Sequence, residues 1–332
     1  MTQEYENVYI NDTATISGPY EAKGPLSNFF DKNYNDLYFG SKSWEDAEIK
    51  MLGECIDILL QKTKKKISNI DALISGDLLN QIVSSSFNAS KVGIPFIGIY
   101  AACSTSTLGL LIASNMIEAK QAKSIITSVS SHNCTSEKQF RQPVEYGGPK
   151  PKTATFTVTG AASALVSSKK SKIRITSSTL GSVVDSGVKD AFNMGAVMAP
   201  AAAKTIYTHL VNTKTKAGDY DLILTGDLGR YGKDILKDYM EKEYGIELNN
   251  LDDTACMIYD IDKQDVYAGG SGPACIPLVT YGYILDKMKK GKLKKVLMVA
   301  TGSLHSQVTV NLKKTIPAVS HAICLEANLW YM

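Results

Sequence analysis

Cys103 is the residue whose type and place first suggest chemistry. It follows an apolar run at 96–100 and opens a helical segment, where free N–H groups and the helix dipole favour a thiolate. That position suits a nucleophile or a ligand contact, and it equally suits the usual fate of a free cysteine, a small buried hydrophobe. A working nucleophile also needs a base for its proton and donors for the developing oxyanion. Four histidines are available: His132, His209, His305 and His321. His209 lies in a helical pattern beside polar residues, which predicts an exposed side chain. His321 lies in the last strand, where a satisfied core histidine is as good a reading as a functional one. His132 and His305 each follow a strand, in the loops where parallel sheets collect ligands, and are the better pocket candidates.

The stretch 131–150 continues from His132 through Asn133, Ser136 and Arg141 to a Gly-Pro-Lys end. Its donors, guanidinium and aromatic rings suit a planar carboxylated ligand, because arginine holds a carboxylate with two parallel bonds. A capping or subunit-contact loop reads equally well. In the second half of the chain, GGSGP at 269–273 opens a helix, so Gly270 and Ser271 can present N–H groups to an anion. The spacing lacks the third glycine of a dinucleotide fingerprint, and no phosphate-binding GxxxxGK[ST] occurs, so tight packing is the better reason for these glycines. Six cysteines without any C-x-x-C pair argue against a zinc ribbon and fit a reducing compartment.

These residues need elements to position them, and the chain repeats its elements. DALISGDL (71–78) is echoed by DLILTGDL (221–228), and the turn and helix around Cys103 by those around Cys275. Strands at 124–129 and 296–301 follow, then last strands near 162–167 and 320–325. Short β-rich runs alternating with helical periodicity predict an α/β duplication with mainly parallel, doubly covered sheets. Trp44, Ala47, Met51, Leu52, Cys55, Ile56 and Leu59 recur at helical spacing, as do Ile235, Leu236, Tyr239 and Met240, so both predict one-sided covering helices. The 107–117 segment is apolar or small on nearly every face and belongs between two sheets. A polar Ser/Lys connection at 167–172 divides the chain into a first half with capping loops, 1–170, and a second half, 171–332. Residues 5–40 read as irregular capping structure.

Composition closes off several classes. With 332 residues, 44% hydrophobic, 36 Lys+Arg and 33 Asp+Glu, the chain is ordinary globular material with a net charge of only +3. Nucleic acid is therefore not an expected partner. The uncharged stretch 92–117 is long enough to span a bilayer, but its Pro95, Gly98, Gly109 and polar CSTST centre favour a strand, a turn and a buried helix. No secretory signal is visible, which predicts an intracellular protein. Lysines at 62–66 and 287–295 sit at helix ends, where they offset the dipole or contribute to a weak anionic-surface patch.

The duplicated halves with a cysteine opening the buried helix resemble the thiolase superfamily, which implies a five-layered α-β-α-β-α sandwich. GPLSNFFD (24–31), SGDLLNQ (75–81), ACSTS (102–106), SSHN (130–133), QFRQPVEYGGPKPKTAT (139–155), VMAPAAA (197–203), LILTGDLG (222–229) and YAGGSGPAC (267–275) resemble, more specifically, the stage V sporulation protein AD family. The resemblance implies a protein that binds dipicolinic acid and supports its uptake into the developing spore. It further implies other stage V sporulation membrane proteins as partners, a homodimer, no cofactor or metal, and a place peripheral to the spore inner membrane. Cys103 falls where thiolase-like enzymes keep their nucleophile. Their second-half catalytic loops fall on 226–229, which includes Asp227, and on 269–272, and neither stretch holds a His or Asn here. The second thiolase cysteine has no counterpart near Ser303, although His305 is adjacent. Loss of proton transfer costs ~10²–10⁴ in rate, so the resemblance implies a binding protein without turnover. It would take its ligand with Cys103, His132, Asn133, Ser136, Arg141, Asp227, Gly270, Ser271 and His305. Two other readings stand beside it: an acyltransferase using Cys103 with His305 or His132 as base, and an interaction scaffold with a vestigial pocket.

Overall fold

The strand runs of the sequence pair into one repeated pattern. The computed structural model describes residues 1–328. The first half supplies β1 (Tyr9–Ser17), β2 (Ala72–Gly76), β3 (Phe96–Gly98), β4 (Ser124–Ser131) and β5 (Gly160–Ser167). The second supplies β6 (Ile173–Leu180), β7 (Leu222–Gly226), β8 (Leu251–Asp253), β9 (Lys295–Ser303) and β10 (Ala318–Ala327). Their order is β3-β2-β4-β5-β1 followed by β6-β10-β9-β7-β8. In each half the three strands nearest the outer edge are parallel and the two nearest the centre run antiparallel to their neighbours. The halves join where Tyr9 and Ile10 pair with Arg174 and Ile173.

The α-helices of five or more residues are α1 (Trp44–Thr63), α2 (Val83–Val92), α3 (Thr105–Glu118), α4 (Asn133–Phe140), α5 (Met194–Thr213), α6 (Gly229–Tyr244), α7 (Cys275–Val279), α8 (Leu285–Lys289) and α9 (Gln307–Asn311). A π-helical stretch, Thr280–Ile284, makes α7 and α8 continuous. Helix α1 starts at Ser43, whose hydroxyl accepts the Asp46 N–H, and buries Ala47, Met51, Leu52, Cys55, Ile56 and Leu59 against β1, β4 and β5. Helix α5 covers β6, β9 and β10, with α6 packed beside it. Helix α3 touches β4 and β5 of its own half and β9 and β10 of the other, so with α7 and α8 it forms the middle layer of a five-layered α-β-α-β-α sandwich. No helix among the described residues is long and apolar enough to cross a membrane.

The structure corrects three sequence-based readings, on residues 9–17, His209 and Ile235, and decides between the two left open for His321. Residues 9–17, read as irregular, form a central strand. Their polar residues hid it: Thr15 is buried, yet its N–H and hydroxyl both donate to Asp31, so the strand tolerates them. His209, read as exposed, is fully buried, with Nδ1 2.8 Å from the Thr179 hydroxyl and Nε2 3.1 Å from the Tyr220 hydroxyl. His321 is a core residue whose Nδ1 accepts the Gly181 N–H. Ile235 sits on the solvent side of α6, while Leu236 and Met240 face inward.

Candidate functional site

Cys103 occupies a tight turn between β3 and α3. Ala102 adopts the left-handed region at φ 48°, a conformation that costs a non-glycine residue free energy and needs support. Two hydroxyls supply it. Thr105 Oγ1 accepts the Ala101 N–H at 3.1 Å and donates to the Ala102 carbonyl at 2.6 Å, and Ser104 Oγ donates to the Ala101 carbonyl at 2.7 Å. Gly302 of β9 presses against the turn from the other half. A Cβ there would lie 2.3 Å from the Ala101 carbonyl oxygen and 2.9 Å from Cys103 N. The ACSTS run thus builds the turn locally, and a glycine nearly two hundred residues later makes room for it.

Around Cys103 lies a small, half-open pocket. Its polar wall comes from Ser136 and Arg141 at α4, Ser271 before α7, and Ser303 and His305 after β9. Tyr100, Phe140, Met194 and Met198 supply apolar surface. The Arg141 side chain is 9% exposed and pairs with Glu137 at 2.5 Å, and Lys150 closes on the same carboxylate at 2.9 Å. His305 packs at a tilt against Phe140, with ring centroids 5.7 Å apart. Three buried polar atoms on this wall have no protein partner: Ser136 Oγ, Arg141 Nε and His305 Nε2.

Of the two readings open for Cys103, electrostatics opposes the thiolate. Burial, and the Asp227 carboxyl behind it, push the Cys103 thiol well above its ordinary range, although the Gly272 N–H and Arg141 act the other way. Cys103 is half-buried in the pocket, and desolvation is the largest cause of the upward shift. Asp227 is fully buried, sits at φ 75°, and has no hydrogen-bond partner for either oxygen. Burial and neighbouring Asp253 hold it well above the usual carboxylate range. Burial and the Arg141 charge push His305 down to about 4, so its ring is neutral.

The pocket gathers Cys103, Ser136, Arg141, Ser271 and His305 from the sequence-derived candidates and leaves four off its wall. His132 is the N-cap of α4: Nδ1 accepts the Cys134 N–H and Nε2 donates to the Leu37 carbonyl at 2.8 Å, so both ring nitrogens are spent on structure. Asn133 turns to a neighbouring cavity beyond Arg141, with its amide on the Thr157 carbonyl. Asp227 stands behind Cys103, and Gly270 packs against Val158, Ile258 and Tyr259. Conversely, Met194 and Met198 lie on one face of α5 one turn apart, a spacing visible in the sequence whose target was not. Cys275, the repeat counterpart of Cys103, is fully buried with its sulfur near the Thr254 hydroxyl.

Comparison with known proteins agrees with the geometry. Solved structures with this fold include 3-oxoacyl-[acyl-carrier-protein] synthase III from Aquifex aeolicus, with a TM-score of 0.58, 13% identity and coverage of 96% of this chain and 99% of that one. A variant of Xanthomonas campestris OleA gives 0.59 at 14% identity, covering 97% of each chain. At such identities the likeness establishes the thiolase-like fold alone. Stage V sporulation protein AD of Bacillus subtilis (strain 168) is 44% identical over 320 residues, which is 96% of this chain and 94% of that protein. The family model described as stage V sporulation protein AD matches residues 2–326. The chain therefore belongs to the stage V sporulation protein AD family, built on a thiolase-like fold.

Proposed function

We propose that this sporulation protein binds dipicolinic acid in the Cys103 pocket without turning it over, and supports its uptake into the developing spore together with membrane proteins. The observation that carries the reading is the cluster of Ser136 Oγ, Arg141 Nε and His305 Nε2, three buried polar atoms free to bond a planar acid in a pocket that also presents the rings of Tyr100 and Phe140. Arg141 supplies the cation for one carboxylate. A Cys103 thiol pushed well above its ordinary range, with an acid behind it, supports binding without turnover. Peripheral association with the spore inner membrane and a homodimer belong to the same proposal. Calorimetric titration of dipicolinate into the full chain tests it. Saturable binding weakened by Arg141→Gln supports the reading, and no binding up to millimolar ligand ends it.

An acyltransfer reading rests on one specific observation, the pocket position of Cys103 in a fold shared with a 3-oxoacyl synthase. Incubation with acyl-CoA followed by intact-mass measurement decides it: an adduct on Cys103 favours transfer, and an unmodified mass favours binding.

A further inference from the structure

The pocket is short of positive charge for a ligand with two carboxylates. Arg141 is the cation on its wall, and Glu137 already shares that charge at 2.5 Å. Lys150 approaches Glu137 from the side of the neighbouring cavity, at 2.9 Å. Ionised Arg141, Glu137 and Lys150 together supply a single net positive charge. Cys103 and Asp227 behind it add no positive charge. A carboxylic acid ordinarily ionises near pH 4, so a dicarboxylate reaches a neutral pocket as a dianion. Seating it there would leave one buried negative charge uncompensated, which is costly in a desolvated site.

His305 is the group placed to supply the missing charge. It is 8% exposed, it lines the pocket, and its Nε2 is buried with no protein partner. Its ring packs at a tilt against Phe140. The charged groups that face it are Arg141, which opposes its protonation, and Glu137, which favours it. A ligand carboxylate on the wall adds a second negative charge and partly neutralises Arg141, so both changes favour a proton on the imidazole.

Building on the dicarboxylate reading above, we infer that this pocket captures a dicarboxylate together with one proton, which His305 takes at Nε2 to hold the second carboxylate. The proton comes from the buffer, and the bound state pairs Arg141 with one carboxylate and the His305 imidazolium with the other. A monocarboxylate needs no such proton. Affinity for the dicarboxylate therefore falls as pH rises, because binding takes up a proton.

Calorimetric titration near pH 7 in buffers of different ionisation enthalpy reads the proton directly. Wild-type protein is expected to take up about one proton per dipicolinate and none per pyridine-2-carboxylate. That comparison needs no variant. His305→Gln, with its fold checked by thermal melting, is expected to lose the uptake, to bind dipicolinate ~10-fold or more weakly near pH 6, and to show a flat pH dependence. Dipicolinate binding with no proton uptake overturns this inference and leaves the binding reading standing. Undiminished uptake in His305→Gln, or equal uptake with the monocarboxylate, also overturns it. No binding of dipicolinate in any buffer overturns both.

Discussion

The Gln307 side-chain amide donates to the Arg141 carbonyl at 3.0 Å, across 166 residues of sequence. This bond ties the second-half loop that carries His305 to the end of the helix that carries Arg141. The two halves of the fold thereby close one wall of the pocket, and the guanidinium and imidazole face the same space.

Arg141→Gln should weaken dipicolinate binding by ~10–100-fold, because a charge-assisted bond is worth roughly 1.5–3 kcal/mol. Arg141→Lys should recover little, since a lysine offers no planar fork. Calorimetry on both variants checks this, and a lysine variant equal to wild type would place the carboxylate elsewhere.

Cys103 should react slowly with iodoacetamide at pH 8 despite facing the pocket, since its thiol is held well above the ordinary range. Asp227→Asn removes one cause of that shift and should raise the rate several-fold. Mass spectrometry of the alkylated protein against time measures both, and a wild-type Cys103 that reacts like a free thiol contradicts the assignment.

Glu21 should make stability fall with rising pH. It is fully buried, accepts the Thr159 N–H at 3.0 Å and the Tyr259 hydroxyl, and burial pushes it up to about 7. The unfolded carboxyl ionises near 4.3. Its contribution is thus complete below that value and is lost as pH rises from about 4.3 to about 7, at a scale on the order of 3–4 kcal/mol. Denaturant melts at pH 5 and pH 8 should show the loss in wild type and a smaller one in Glu21→Gln.

His132→Ala should destabilise the fold by roughly 1–3 kcal/mol through loss of the α4 cap and the tie to Leu37. Ligand affinity should change far less than in Arg141→Gln, because the imidazole lies off the pocket wall. Thermal melting and calorimetry together separate the two effects.

Gly302→Ala should disturb the Cys103 turn, because its Cβ would meet the Ala101 carbonyl oxygen at 2.3 Å. The expected results are a lower melting temperature and faster alkylation of Cys103. An unchanged alkylation rate would mean that the turn does not depend on that contact.

Much of the architecture was legible in the amino-acid order. Leu73-Ile74 and Ile223-Leu224 announce equivalent strands, and Met51, Leu52, Cys55, Ile56 and Leu59 announce the inner face of α1, because apolar period follows local backbone geometry. The same logic placed Cys103 at the start of the middle-layer helix. It failed at β1, where polar residues such as Thr15, satisfied by its tertiary bonds to Asp31, conceal a central strand.

The sequence by itself determined the repeat, the layers and the position of the cysteine, since each depends on residues a few positions apart. Only the tertiary structure decided that His132 is a cap while His305 faces the pocket, and that desolvation is the largest cause of the upward shift of the Cys103 thiol. Which polar groups share a desolvated space depends on how distant segments pack, and spacing along the chain carries no record of that.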